Sequence, residues 1–182
     1  GLYRQTTLTV GISATDSEAE IRYTIDGSVP TAQSNLYTAP LTINATTLLR
    51  AAEVKADTLC SAVTTASYIF VESVLSQPND PVGYPAEWGQ YTDIQGTAIA
   101  DYEMDPEMTG DETLRLKIVE GLYDLPILSI VTDKDNLFSH ENDTARGGIY
   151  IFTGPPVGDA TGHGWTRPAS VELIGGPQAH DM

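Results

Sequence analysis

Asp133, Asp135, Asn136, Glu141, Asn142 and Asp143 bring a set of hard oxygen-bearing side chains into one short stretch. Calcium takes roughly six to eight such oxygens at about 2.3–2.6 Å, and a loop with Asp at alternate positions can supply them. Asp133, Asp135, Asn136, Glu141 and Asp143 are therefore candidate metal ligands, and Ca²⁺ is the one cofactor the sequence suggests. The spacing is not that of an EF-hand loop, which needs Gly at its sixth place and Glu at its twelfth; Phe138 and Thr144 stand there. The plainer reading of the same residues is a helix cap at Asp133 followed by a solvated turn. A second acidic run, Asp101 to Glu112, contains no base. It reads as a solvated segment tethered by Tyr102, Met104 and Met108, or as a site for Ca²⁺ or a basic partner.

Other chemistries find little support. A glycoside hydrolase needs two carboxyl groups about 5–9.5 Å apart across a cleft, and an acid-rich chain offers many pairs with nothing to select one. His140, His163 and His180 are scattered, whereas zinc needs three or four converging ligands. Gly147-Gly148 and Gly175-Gly176 lack the Lys and helix of a phosphate loop. Cys60 is the single cysteine, so no disulfide forms within the chain; in its Leu59–Val63 run it reads as a small buried hydrophobe. Exposed aromatic rings can stack on sugars, and Tyr37 and Trp88 are the candidates for carbohydrate contact. Trp88 and Trp165 read more simply as anchors for long loops. No catalytic and no nucleotide-binding residue is assigned.

The elements that must position these groups divide the chain. Residues 1–75 hold 7 acids and 4 bases, a net of -3; residues 76–182 hold 18 acids and 5 bases, a net of -13. The whole carries -16, which repels a nucleic-acid backbone and an anionic membrane surface. No run approaches the ~18 apolar residues of a membrane span.

The first part reads as all-β. Strands are expected over Thr6–Ile12, Ile21–Ile25, Leu48–Val54 and Ser67–Val71, with one or two short edge strands between Leu36 and Ile43. Asp26-Gly27 supplies a turn. Pro78, Pro81, Gly83, Pro85 and Gly89 then punctuate a connection. One amphipathic helix is expected at about 111–123, opened by Asp111 and Glu112. Strands follow at 127–131, 148–152 and 169–174, with a loop over 154–168. The fold class expected is thus mainly β: an Ig-like antiparallel sandwich over 1–75, a connection over 76–110, and a smaller α/β segment over 111–182. The first part is expected to fold alone, and 76–182 to be marginal by itself.

Two stretches resemble known families. Ile21–Thr31, Tyr37–Leu41, Thr46–Ala51 and Tyr68 resemble the chitobiase/β-hexosaminidase C-terminal-type module, a small Ig-like sandwich also described as fibronectin-III-associated, over about residues 3–71. That resemblance implies an accessory domain of a secreted bacterial protein without catalytic machinery. Leu125–Asp133, Asn136–Phe138, Gly148–Tyr150 and Trp165–Leu173 resemble the opening of a CotH-type domain, the spore-coat-protein-H-like atypical kinase family, over about 75–175. The residues with which that family would bind nucleotide and metal lie further downstream, so none is carried over and the chain is expected not to be an enzyme.

The reading of the sequence is a non-catalytic accessory or scaffold piece of an extracellular or cell-surface bacterial protein. Its partners would be other domains of the parent protein, and a glycan or surface protein. The alternatives are part of a CotH-like kinase and a carbohydrate-binding module.

Overall fold

The structure, a computed structural model, describes residues 1–90, 96–141, 145–149 and 166–175. The protein is mainly β: a β-sandwich followed by a small α/β part.

The main sheet is built on β6 (Thr47–Lys55), which pairs antiparallel with β3 (Glu20–Thr24) on one side and β8 (Thr64–Phe70) on the other. The short β4 (Asn35–Leu36) extends it beyond β3, and β7 (Thr58–Leu59) folds back on β6. At the far edge β1 (Leu2–Tyr3) pairs with β8 in parallel, a departure from the all-antiparallel expectation. A second sheet contains β2 (Leu8–Val10) and β5 (Leu41–Ile43), antiparallel. Ile25, expected at the end of β3, lies beyond it and is exposed.

β6 does not alternate. Leu49, Arg50, Ala51, Ala52 and Val54 are all buried, as in a strand covered on both faces. Leu49, Ala51, Ala66 and Tyr68 face a cavity shared with Val10 and Ile12 on the side of β2. The opposite face is covered by the later part of the chain.

That later part begins with α1 (Val71–Leu75), which continues directly from β8 and buries Val71 and Leu75. A small antiparallel pair follows, β9 (Glu87–Gln90) with β10 (Thr97–Ile99). The acidic run forms α2 (Pro106–Gly110), opened by Asp105, whose carboxylate accepts from the Glu107 N–H. The expected helix is present as α3 (Glu112–Asp124), and the Asp111 carboxylate accepts from the N–H groups of Thr113 and Leu114. β11 (Ile127–Val131), α4 (Lys134–Phe138) and β12 (Ser170–Ile174) complete the described chain.

β11 and β12 pair in antiparallel register, with Ser129 opposite Glu172 and Val131 opposite Ser170. Their alternation sorts the side chains. Val131 and Ile174 are buried, while Leu128, Ile130, Val171 and Leu173 on the other face are exposed. Of the strand expected over 148–152, Gly148 and Ile149 are not strand, and 150–152 lie outside the described residues. The expected 154–168 loop, including Trp165, also lies outside them up to residue 165.

Candidate functional site

Of the polar groups singled out in the sequence, Asp133 meets one end of the sandwich, where the Asp26-Gly27 turn lies against the start of α4. Gly27 adopts φ +83°, a left-handed conformation that suits a residue without Cβ. Its N–H donates to the Leu48 carbonyl at 3.1 Å. The turn is fixed by Asp26, whose carboxylate accepts from both the N–H (3.0 Å) and the hydroxyl (2.6 Å) of Ser28. The Ser28 hydroxyl above all, helped by its N–H and the Lys134 charge, holds the Asp26 carboxyl below its ordinary range against an opposing effect of burial.

Asp133 precedes α4 but does not cap it with its side chain. The carboxylate turns instead to the sandwich, accepting from the Val29 N–H at 2.7 Å and standing 3.7 Å from Arg50 Nη1. Arg50 is itself buried and donates to the Gly27 carbonyl at 3.0 Å. The helix cap expected of Asp133 is therefore replaced by a tie between the two parts of the chain. Burying a guanidinium costs free energy unless it is paired and hydrogen-bonded; Asp133 and Gly27 meet part of that need, while the buried Arg50 Nε has no hydrogen-bond partner among the described residues.

The rest of the candidate calcium set does not converge there. Asp135 is exposed in the first turn of α4. Asn136 donates from Nδ2 to the Thr132 hydroxyl at 2.7 Å. Glu141 pairs with Arg146 at 3.2 Å. Asn142 and Asp143 lie outside the described residues. Among the described residues, no three His, Cys, Asp or Glu side chains come together in a way that could hold a metal ion. A solvent-open cavity of about 670 Å³ does lie here, lined by Asp26, Ser28, Tyr84, Asp133, Lys134, Asp135 and Asn136 among others.

The two candidate sugar-contacting rings are both engaged. Tyr37 is half-buried and its hydroxyl accepts from the Ile12 N–H at 3.0 Å, pinning the segment after β2. Trp88 stands edge-on to Tyr102 with centroids 5.6 Å apart, and its Nε1–H donates to the Tyr102 hydroxyl at 3.2 Å. Tyr102 in turn donates to the Pro85 carbonyl at 3.0 Å. Tyr84 and Phe138 join the same group through edge contacts. This aromatic cluster ties the Pro-rich connection to α4, the anchoring role the sequence suggested for Trp88. Cys60, expected to be buried, is exposed; it follows β7 directly, and its N–H donates to the Glu53 carbonyl at 2.9 Å.

Sequence reasoning missed Arg50 and Ser67 as junction residues. Both sit in runs that read as strands, Leu48–Val54 and Ser67–Val71. The available signal was the apolar run on either side of Arg50, in which a lone charge needs a partner.

The arrangement defines a small β-sandwich whose polar groups hold a following α/β segment. A family model for the chitobiase/beta-hexosaminidase C-terminal domain matches residues 1–65, the stretch that forms β1 to β7 and the start of β8. No curated protein and no solved structure matches the chain. No helix among the described residues is long and apolar enough to cross a membrane.

Proposed function

We propose that this chain is a non-catalytic accessory module of a secreted or surface-attached protein of glycosidase-like type, and that it positions neighbouring parts of its parent. The observation that carries this reading is the match of residues 1–65 to a domain described by its place at the C-terminal end of chitobiases and β-hexosaminidases. The structural use of Asp26, Arg50 and Asp133, each engaged with a neighbouring loop or strand, agrees with it.

The test is to titrate the whole chain with chito-oligosaccharides by calorimetry and to incubate it with a chromogenic β-N-acetylglucosaminide. The expected result is no saturable heat and no colour release above buffer. Release that scales with protein concentration overturns the reading. Saturable binding lost in Tyr37→Ala or Trp88→Ala replaces it with a carbohydrate-binding module.

A second reading takes residues 75–175 as the opening of a CotH-type kinase domain. It is supported by the residues of β11, α4 and β12, which are among those that carry that resemblance. An increase in melting temperature with ATP and Mg²⁺ favours this second reading over an inert segment.

A further inference from the structure

The three largest fully buried side chains among the described residues are Val131, Pro30 and Ser67. Val131 and Ser67 lie where β11–β12 meets the sandwich, and Pro30 belongs to the same turn as Gly27 and Val29. In two independently packed domains the best-buried groups would sit at the centre of each. Here two of the three, Val131 and Ser67, sit between them.

The details show a built surface. A Cβ placed on Gly27 would lie 3.3 Å from Val131 Cγ1 and 3.3 Å from Leu48 Cδ1. Val131 therefore packs against the Gly27 turn beside Leu48, close to the space a side chain there would take. Along β8, β1 pairs with Ile69 and Phe70, and the Gly1 amine before it donates to the Ser67 carbonyl. The amide of Ser67 beyond that pairing is taken by Glu172 Oε2 at 2.9 Å. The Ser67 hydroxyl meets that of Ser129 at 2.7 Å, and Thr65 meets Ser170 at 2.8 Å. Glu172 thus takes one amide at the edge of β8, where the Gly1 amine takes the Ser67 carbonyl, and Ser129 and Ser170 take hydroxyls on the face of the strand; an edge left bare would invite pairing with another chain. The Arg50–Asp133 tie closes the other end of the same surface.

We propose that the Asp26–Pro30 turn and the outer side of β8 form a docking surface for β11–β12 of the same chain, and that sandwich and ribbon unfold as one cooperative unit. The compositional break near residue 75 is then not a break in cooperativity. The sandwich holds the following segment in a fixed orientation and does not act as a bead on a flexible tether. This goes beyond the accessory-module reading and stands or falls separately from it, because its test reads opening and not binding or catalysis.

The experiment is native-state hydrogen exchange on the whole chain, following amides in β6 and β8 together with those in β11 and β12. The slowest amides of both groups are expected to share one opening free energy and one denaturant dependence. Val131→Ala should lower protection in both groups by the same factor, about 10-fold or more. Should that variant fail to fold, Arg50→Met, Asp133→Asn and the double variant give the second measurement. The double variant is expected to open little more readily than the worse single one. Loss of protection in β11–β12 while β6 and β8 keep theirs overturns the proposal, as does a Val131→Ala variant without effect. Fully multiplicative effects of the Arg50 and Asp133 substitutions overturn it as well.

Discussion

Gly27 carries more of the architecture than its size suggests. Its φ of +83° disfavours any residue with a Cβ, and the space such an atom would take is already bounded by Leu48 and Val131. Gly27→Ala should therefore lower stability by about 1–3 kcal/mol, from left-handed strain and crowding together. The check is the midpoint of urea unfolding, with the slope unchanged. The Asp-Gly pair was legible in the sequence as a turn, because Gly accepts positive φ. That Val131, more than a hundred residues away, packs against it was not legible: a glycine's neighbours leave no trace in local pattern. The same holds for Asp133. Its position before α4 suggested a cap, but its carboxylate is held by Val29 and Arg50 through contacts that sequence spacing does not encode.

At the scale of elements, legibility followed periodicity. β3 and β6 fall where the hydrophobic pattern put them, and the helix opened by Asp111 is present with that residue as its cap. Because the Asp111 carboxylate accepts two N–H groups of the first turn, Asp111→Ala should cost about 1 kcal/mol, within a usual range of roughly 0.5–2. Thermal unfolding followed by far-ultraviolet circular dichroism checks this, and Asp111→Asn should restore most of the loss. Shorter elements were harder to read. β1, β7, α1, β9, β10 and α2 are each five residues or fewer, too few for a period to emerge. They are held by tertiary partners: β1 by its pairing with β8, with Tyr3 against Tyr68 and Phe70, and β9 by the Trp88–Tyr102 contact. β11 read as a buried strand from its apolar content and β12 simply as a strand, yet only one face of the pair is covered by the described residues.

For the whole molecule, charge sets the response to acid. The carboxyl of Asp16 is held below its ordinary range by the Glu18 N–H and Lys55, that of Glu53 by the Thr15 N–H and hydroxyl, and that of Asp26 by the Ser28 hydroxyl. A group whose folded pKa is depressed stabilises fully above its unfolded value and loses that contribution as pH falls through the folded one. Stability should thus vary little from neutral pH to about 5 and decline below about 4, the ordinary carboxylate range. The decline should come even though the net charge of -16, and with it self-repulsion, is shrinking toward the pI near 4.2. Melting temperatures measured from pH 7 to pH 3 check this, and a steady rise down to pH 3 would contradict it. Lys55 behaves oppositely: Glu18 and Asp16 raise its pKa, so its contribution is lost only at strongly alkaline pH. The acid surplus after residue 75 was plain from composition. Which carboxylates are bonded was not, since hydroxyl and amide partners such as Thr15 and Ser28 are common everywhere in the chain.

The parallel pairing of β1 with β8 has a mechanical consequence. Tension applied between Gly1 and α1 pulls β1 from its N-terminal end and β8 from its C-terminal end. In a parallel pair those two ends lie at opposite extremes, so the bonds between the strands bear the load together, in shear. The antiparallel pairs of β3, β6 and β8 lie behind that clamp and would peel only after it gives way. A sandwich clamped in this way resists stretching along that line before its antiparallel pairs bear any load.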